Sequence, residues 1–74
     1  MSEPLDLRGL KCPLPALFVR RALARLAPGA EIEVAADDPL AAVDIPHMCN
    51  QEGHAVISVT REGGVTRLRL RRGG

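Results

Sequence analysis

The chain alternates between polar-apolar repeats of period two and an apolar stripe of helical period, and the switches mark its elements. Leu5-Asp6-Leu7-Arg8 alternates and predicts a short first strand, ended by Gly9. From Pro13 to about Ala27 the period lengthens. Ala16, Val19, Leu23 and Leu26 make one apolar stripe, with Phe18 and Ala22 at its edge and Arg20, Arg21 and Arg25 on the other side. Pro13 suits the first helical position, and Pro15 still falls in the first turn, where a missing N–H costs little. Pro28-Gly29 stops the helix. At about 100° per residue, Leu14 and Leu17 project toward the arginine side, so two large apolar groups are expected at the surface near the helix start.

Glu31-Ile32-Glu33-Val34 alternates again and predicts a second strand. A helix between two strands implies a crossover and a parallel pair. Asp37-Asp38-Pro39 is a helix entry with Asp38 as N-cap, and Asp44-Ile45-Pro46 is a further entry a few residues on. A proline deep in a helix loses a hydrogen bond and clashes. The expectation is therefore a short turn over Pro39 to Val43, then a separate helix from Ile45 to about Glu52, ended by Gly53. His54 to Thr60 is rich in β-branched residues, Arg61-Glu62-Gly63-Gly64 is a hairpin signal, and Val65 to Arg71 is a last strand. On that strand Thr66, Leu68 and Leu70 share one face, and Arg67, Arg69 and Arg71 the other. The predicted fold is an α/β two-layer sandwich of order βαβαββ, a four-stranded mixed sheet with two helices on one face, forming a single domain over residues 1–74.

Seventy-four residues suit one small domain. Ten basic against nine acidic residues leave a net charge of +1, which argues for no polyanion partner. Phe18 is the only aromatic residue, which weighs against single-stranded nucleic-acid readers that stack bases on aromatic platforms. No direct nucleic-acid partner is expected. No apolar run approaches the ~18 residues of a membrane span, so no membrane partner is expected either. Met1-Ser2-Glu3-Pro4 lacks the basic and apolar regions of a secretory leader. The expected setting is the cytoplasm, with reduced thiols.

There a cysteine with a role is a chemical one, and Cys12 stands where chemistry is favoured. A thiol at a helix start meets unpaired N–H groups and the positive end of the macrodipole, and Lys11 adds a cation. Both predict a pKa below the ordinary thiol value and a nucleophilic thiolate. Pro13 and Pro15 restrict the loop and fix where the sulfur points. The competing reading is an inert buried residue, and two others are a non-catalytic protein-binding module and a redox-sensing module, both using the Cys12 loop and an arginine face.

Cys49 falls at helical spacing with Ile45 and Met48 and is expected in the core rather than as a resolving thiol. His47 and His54 lack the spacing of zinc ligands, so no metal site is expected. No binding motif for an organic cofactor is present, since Gly63-Gly64 is a turn and not a phosphate loop. Capping accounts for Asp38 and Asp44. Arg67, Arg69, Arg71 and Arg72 concentrate charge on the last strand, either as a solvated face protecting an edge or as a steering surface. Leu14 and Leu17 with Arg20 and Arg21 form a candidate docking patch for a protein partner.

The chain resembles the TusA/SirA-like sulfur-carrier family through Leu5-Asp6, Gly9-Leu10-Lys11-Cys12-Pro13-Leu14-Pro15, Pro28-Gly29, Asp37-Asp38-Pro39, Asp44-Ile45-Pro46, Cys49 and Gly53-His54. The resemblance implies that Cys12 accepts sulfur as a persulfide and passes it on. It also implies a donor such as a cysteine desulfurase or rhodanese, a DsrE-type acceptor thiol, and an outlet in tRNA thiolation, cofactor sulfuration or dissimilatory sulfur metabolism. The chain departs at Leu14, where many members carry an acidic residue, and this bears on partner choice. Gly73-Gly74 matches the end of ubiquitin-like thiocarboxylate carriers, but their fold opens with a hairpin where this chain passes directly to a helix. The glycine pair is expected to be a disordered tail.

Overall fold

The structure is a computed structural model and describes residues 4–73. Met1 to Glu3, on which most of the leader argument rests, and Gly74 lie outside the described residues. The order is β1 (Leu5–Asp6), α1 (Leu14–Ala24), β2 (Glu31–Ala36), α2 (Ala41–Glu52), β3 (Ala55–Glu62) and β4 (Val65–Arg71). The sheet runs β1-β2-β4-β3, with β1 parallel to β2 and the other neighbours antiparallel. The expected βαβαββ sandwich is therefore present.

Register explains why only one face is covered. Ile32 pairs with Leu70, Val34 with Leu68 and Ala36 with Thr66, all buried. The alternate pairs, Glu31 with Arg71 and Glu33 with Arg69, face the other way. Against the apolar face pack Val19 and Leu23 of α1 and Ala41, Ile45 and Cys49 of α2, in one cluster. Fully burying Leu23, Ile45, Leu68 and Leu70 contributes about 1.5–3 kcal/mol each. Gly63 and Gly64 join β3 to β4 with φ of 57° and 80°, the two positive values that a twist-matched two-residue hairpin requires.

Two expectations are corrected. The turn over Pro39 to Val43 and the helix from Ile45 are instead one helix with Pro46 inside it. Ala41, Ile45 and Cys49 recur every four residues, so only a continuous helix turns all three into the core. That burial outweighs the bond Pro46 cannot donate to the Ala42 carbonyl. The tail is not free at Gly73, whose N–H donates to His54 Nδ1 at 3.0 Å. Arg72 also departs from its neighbours. Its side chain turns back to the carbonyls of Ala24 and Leu26, closing the C-terminal end of α1.

Candidate active site

Cys12 lies on the loop between β1 and α1, and that loop is tied down by carboxylates from the β2–α2 connection. Asp37 Oδ1 accepts the Gly9 N–H at 2.9 Å. Asp38 works in two directions: Oδ2 accepts the Cys12 N–H, while Oδ1 accepts the Leu40 N–H at 3.2 Å. The loop thus inherits its position from the start of α2. Within the loop, the Leu14 N–H donates to the Lys11 carbonyl at 2.8 Å, turning the chain into α1. Pro13 is the residue flanking the helix start, Pro15 is buried, and the Cys12–Pro13 peptide is cis.

The thiol itself meets α2. Cys12 Sγ–H donates to Asp44 Oδ2 at 3.0 Å. Asp44 stands in the first turn of α2, and the helix shows no side-chain cap. The expected lowering of the Cys12 pKa is therefore overturned. Its pKa is raised, first by the hydrogen bond to Asp44, then by desolvation and the negative charges of Asp44 and Asp38. The physical reason is placement. Pro13, not Cys12, flanks the first turn of α1, and the group nearest the sulfur is a carboxylate rather than an amide array.

The remaining candidates separate clearly. Lys11, Leu14, Leu17, Arg20 and Arg21 are exposed. Leu14 and Leu17, at 43% and 48% exposure, line one open groove with Phe18, Arg20, Arg21 and Ala24. Leu40 and Val43 at the start of α2 are also exposed, close in sequence to Asp38 and Asp44, whose carboxylates meet Cys12. Cys49 is fully buried in the core, which pushes its thiol pKa up. Both cysteines are free. Asp6 is on the sheet, where Arg8 pairs with it at 2.9 Å. His47 is exposed on α2, and His54 holds Gly73.

Sequence reasoning assigned Asp38 and Asp44 to helix capping, gave Asp37 no role, and so missed what the three carboxylates do around Cys12. The signal present was the proximity of Asp-Asp-Pro and Asp-Ile-Pro in one chain with an unusual Cys-Pro-Leu-Pro. Nothing in local spacing ties residues 26 and 32 positions apart.

A family model described as sulfurtransferase TusA matches residues 3–72. Two Neisseria meningitidis proteins, from a serogroup A and a serogroup B strain, are each 42% identical over 67 residues, covering 90% of this chain and 90% of theirs. Each is named "putative sulfur carrier protein". The crystal structure of a SirA-like protein from Desulfitobacterium hafniense matches with a TM-score of 0.83 at 23% identity, over 96% of this chain and 97% of that one. That last likeness is one of fold.

Proposed function

This chain belongs to the TusA sulfurtransferase family, and from that premise we propose that Cys12 carries sulfur as a terminal persulfide between two proteins. Cys12 Sγ attacks the outer sulfur of a persulfide on a donor such as a cysteine desulfurase or rhodanese. The donor's S–S bond breaks and Cys12–S–SH forms. An acceptor thiol, of DsrE type, then attacks the outer sulfur and regenerates Cys12. One S–S bond forms for each that breaks, so no net oxidation occurs. The outlets consistent with this chemistry are thiolated tRNA, a sulfur-containing cofactor and dissimilatory sulfur metabolism.

The observation that carries the reading is the contrast between the two thiols. Cys12 is exposed on a loop held by three carboxylates, and Cys49 is fully buried. Exchange requires attacking and leaving sulfurs to reach one another in line, so a carrier must present its sulfur to both partners. The exposed groove of Leu14, Leu17 and Phe18, with Arg20 and Arg21 along it, supports a docking role for α1 beside that sulfur. Lys11, Pro13 and Pro15 shape the loop.

The test is intact-mass spectrometry after incubation with cysteine and a desulfurase, with non-reducing peptide mapping. One added sulfur on the Cys12 peptide, absent in Cys12→Ser, is the expected result. No sulfur at Cys12 with a desulfurase, a rhodanese or inorganic polysulfide as donor would overturn the carrier reading, and sulfur at Gly74 would replace it with a thiocarboxylate mechanism.

A further inference from the structure

We propose that Asp44 is the proton shuttle of the sulfur transfer, taking the proton from Cys12 Sγ as it attacks and returning it as Sγ leaves. The proposal rests on the persulfide-carrier reading. It starts from how the carboxylates around the loop are occupied. Asp37 holds a backbone N–H of the loop. Asp38 spends one oxygen on Leu40 and the other on the Cys12 N–H. The Asp44 carboxylate accepts from no backbone group among the described residues. It caps nothing in α2, and the one hydrogen bond it accepts is from the thiol, at 3.0 Å. A place in the first turn of α2 suits its charge, but only the sulfur accounts for where the carboxylate points.

The charged groups that face Cys12 are Asp44 from α2, Asp38 from the β2–α2 connection, and Lys11 beside it in its own loop. Of these Asp44 alone touches Sγ. A site that needed only a standing thiolate would put positive charge there. A carboxylate instead keeps the proton on Sγ at rest and receives it when the S–S bond begins to form, within the reach that general acid–base catalysis requires. In loading, the Sγ proton moves to Asp44 Oδ2 while Sγ bonds the donor's outer sulfur. The electron pair of the broken S–S bond stays on the donor thiolate, which takes the proton from Asp44. In unloading, an acceptor thiol gives its proton to Asp44 as its sulfur bonds the outer sulfur of Cys12–S–SH. Asp44 passes that proton to the departing Sγ. Each half is balanced and needs no oxidant or reductant.

The experiment compares wild type and Asp44→Asn, a substitution of equal size at a partly exposed position, with circular dichroism to confirm that both fold. Inorganic polysulfide loads the proteins, a small-molecule thiol unloads them, and intact mass follows both rates from pH 5 to 9. Iodoacetamide alkylation of Cys12 is followed over the same range. The expected result is a pair of opposite changes. Asp44→Asn lowers the pH at which Cys12 becomes alkylated, yet slows unloading at neutral pH by about a hundredfold or more. Unloading by Asp44→Asn at the wild-type rate or faster would overturn the shuttle while leaving the carrier reading intact. Wild-type protein that takes no sulfur at Cys12 would overturn both.

Discussion

Gly73 shows how much one hydrogen atom in place of a side chain can decide. A Cβ built there falls 1.8 Å from the Gly53 carbonyl oxygen and 2.8 Å from its carbon, and these are backbone atoms that cannot swing aside. Gly73→Ala must therefore push the tail off His54 or shift the end of α2. The expected loss is about 1–3 kcal/mol, as for other overpacked positions, measured as a lower urea midpoint with an unchanged slope. Asp6 makes a second prediction at this scale. Side-chain and backbone hydrogen bonds from Arg8 lower its pKa to about 2. A carboxylate with a depressed folded pKa contributes stability that is present above the unfolded value of about 3.9 and is lost as pH falls through the folded one. NMR titration should give a midpoint about 2 for Asp6. Arg8→Ala should raise it only part of the way to the ordinary carboxylate range, because the residue-8 backbone N–H still donates to Asp6 Oδ1 and Arg67 stays nearby. Both residues lie in the sheet layer or at its end, away from the Cys12 contacts, so neither change should alter alkylation of Cys12.

At the scale of elements, α2 is where local and tertiary preferences disagree. The period-four core stripe requires one helix, and Pro46 interrupts its hydrogen bonding. Pro46→Ala restores a donor to the Ala42 carbonyl, against a smaller gain of freedom in the unfolded chain. The expected net effect is stabilisation of about 1–2 kcal/mol, read from chemical denaturation. Ile45→Ala, one residue away but fully buried, should destabilise by about 2–5 kcal/mol. A separate helix beginning at Ile45 would reverse the first expectation, since Pro46 would then sit at a favoured first-turn position. This also marks what the sequence made legible. The strands, α1 and the exposed leucines followed from periods that act within a few residues. The stop at Gly53 and the hairpin at Gly63-Gly64 followed from residue chemistry. The join of Asp37 and Asp38 to the Cys12 loop did not: the parallel pairing of β1 and β2 was expected, but which loop N–H each carboxylate would meet, 28 and 26 positions away, depends on how the two connections fold against each other. The raised thiol pKa did not either, because Asp44 reaches Sγ only when α2 starts four residues before Ile45.

For the molecule as a whole, ten basic and nine acidic residues nearly cancel, but their pairing is uneven. On the open face of the sheet Arg69 reaches Glu31 and Glu33 at 3.4 and 3.5 Å, and Arg71 reaches Glu31 at 2.9 Å. Of the four arginines expected to concentrate charge on the last strand, Arg69 and Arg71 are thus paired in place and Arg72 turns away to α1; β4 is also interior to the sheet, so these side chains protect no edge. On α1, Arg20 has one long exposed contact to Glu52 at 3.7 Å, and Arg21 and Arg25 have no ion pair among the described residues. Uncompensated positive charge therefore lies beside the groove of Leu14, Leu17 and Phe18, on the helix that follows the Cys12 loop. An acidic partner is steered toward such a surface, and the steering weakens as salt rises past a Debye length of about 8 Å at physiological strength. The expected outcome is that Arg20→Glu with Arg21→Glu slows association with a sulfur-donating partner by about tenfold at low salt and flattens its salt dependence. Leu14→Asp, which leaves those charges in place, should instead speed dissociation by removing apolar contact. Arg69→Glu with Arg71→Glu should leave the association rate nearly unchanged while exposing Glu31 and Glu33 to like charge. Stopped-flow association over a salt series separates the two faces. An equal loss of rate from both arginine pairs would mean that net charge, rather than the α1 surface, directs the encounter.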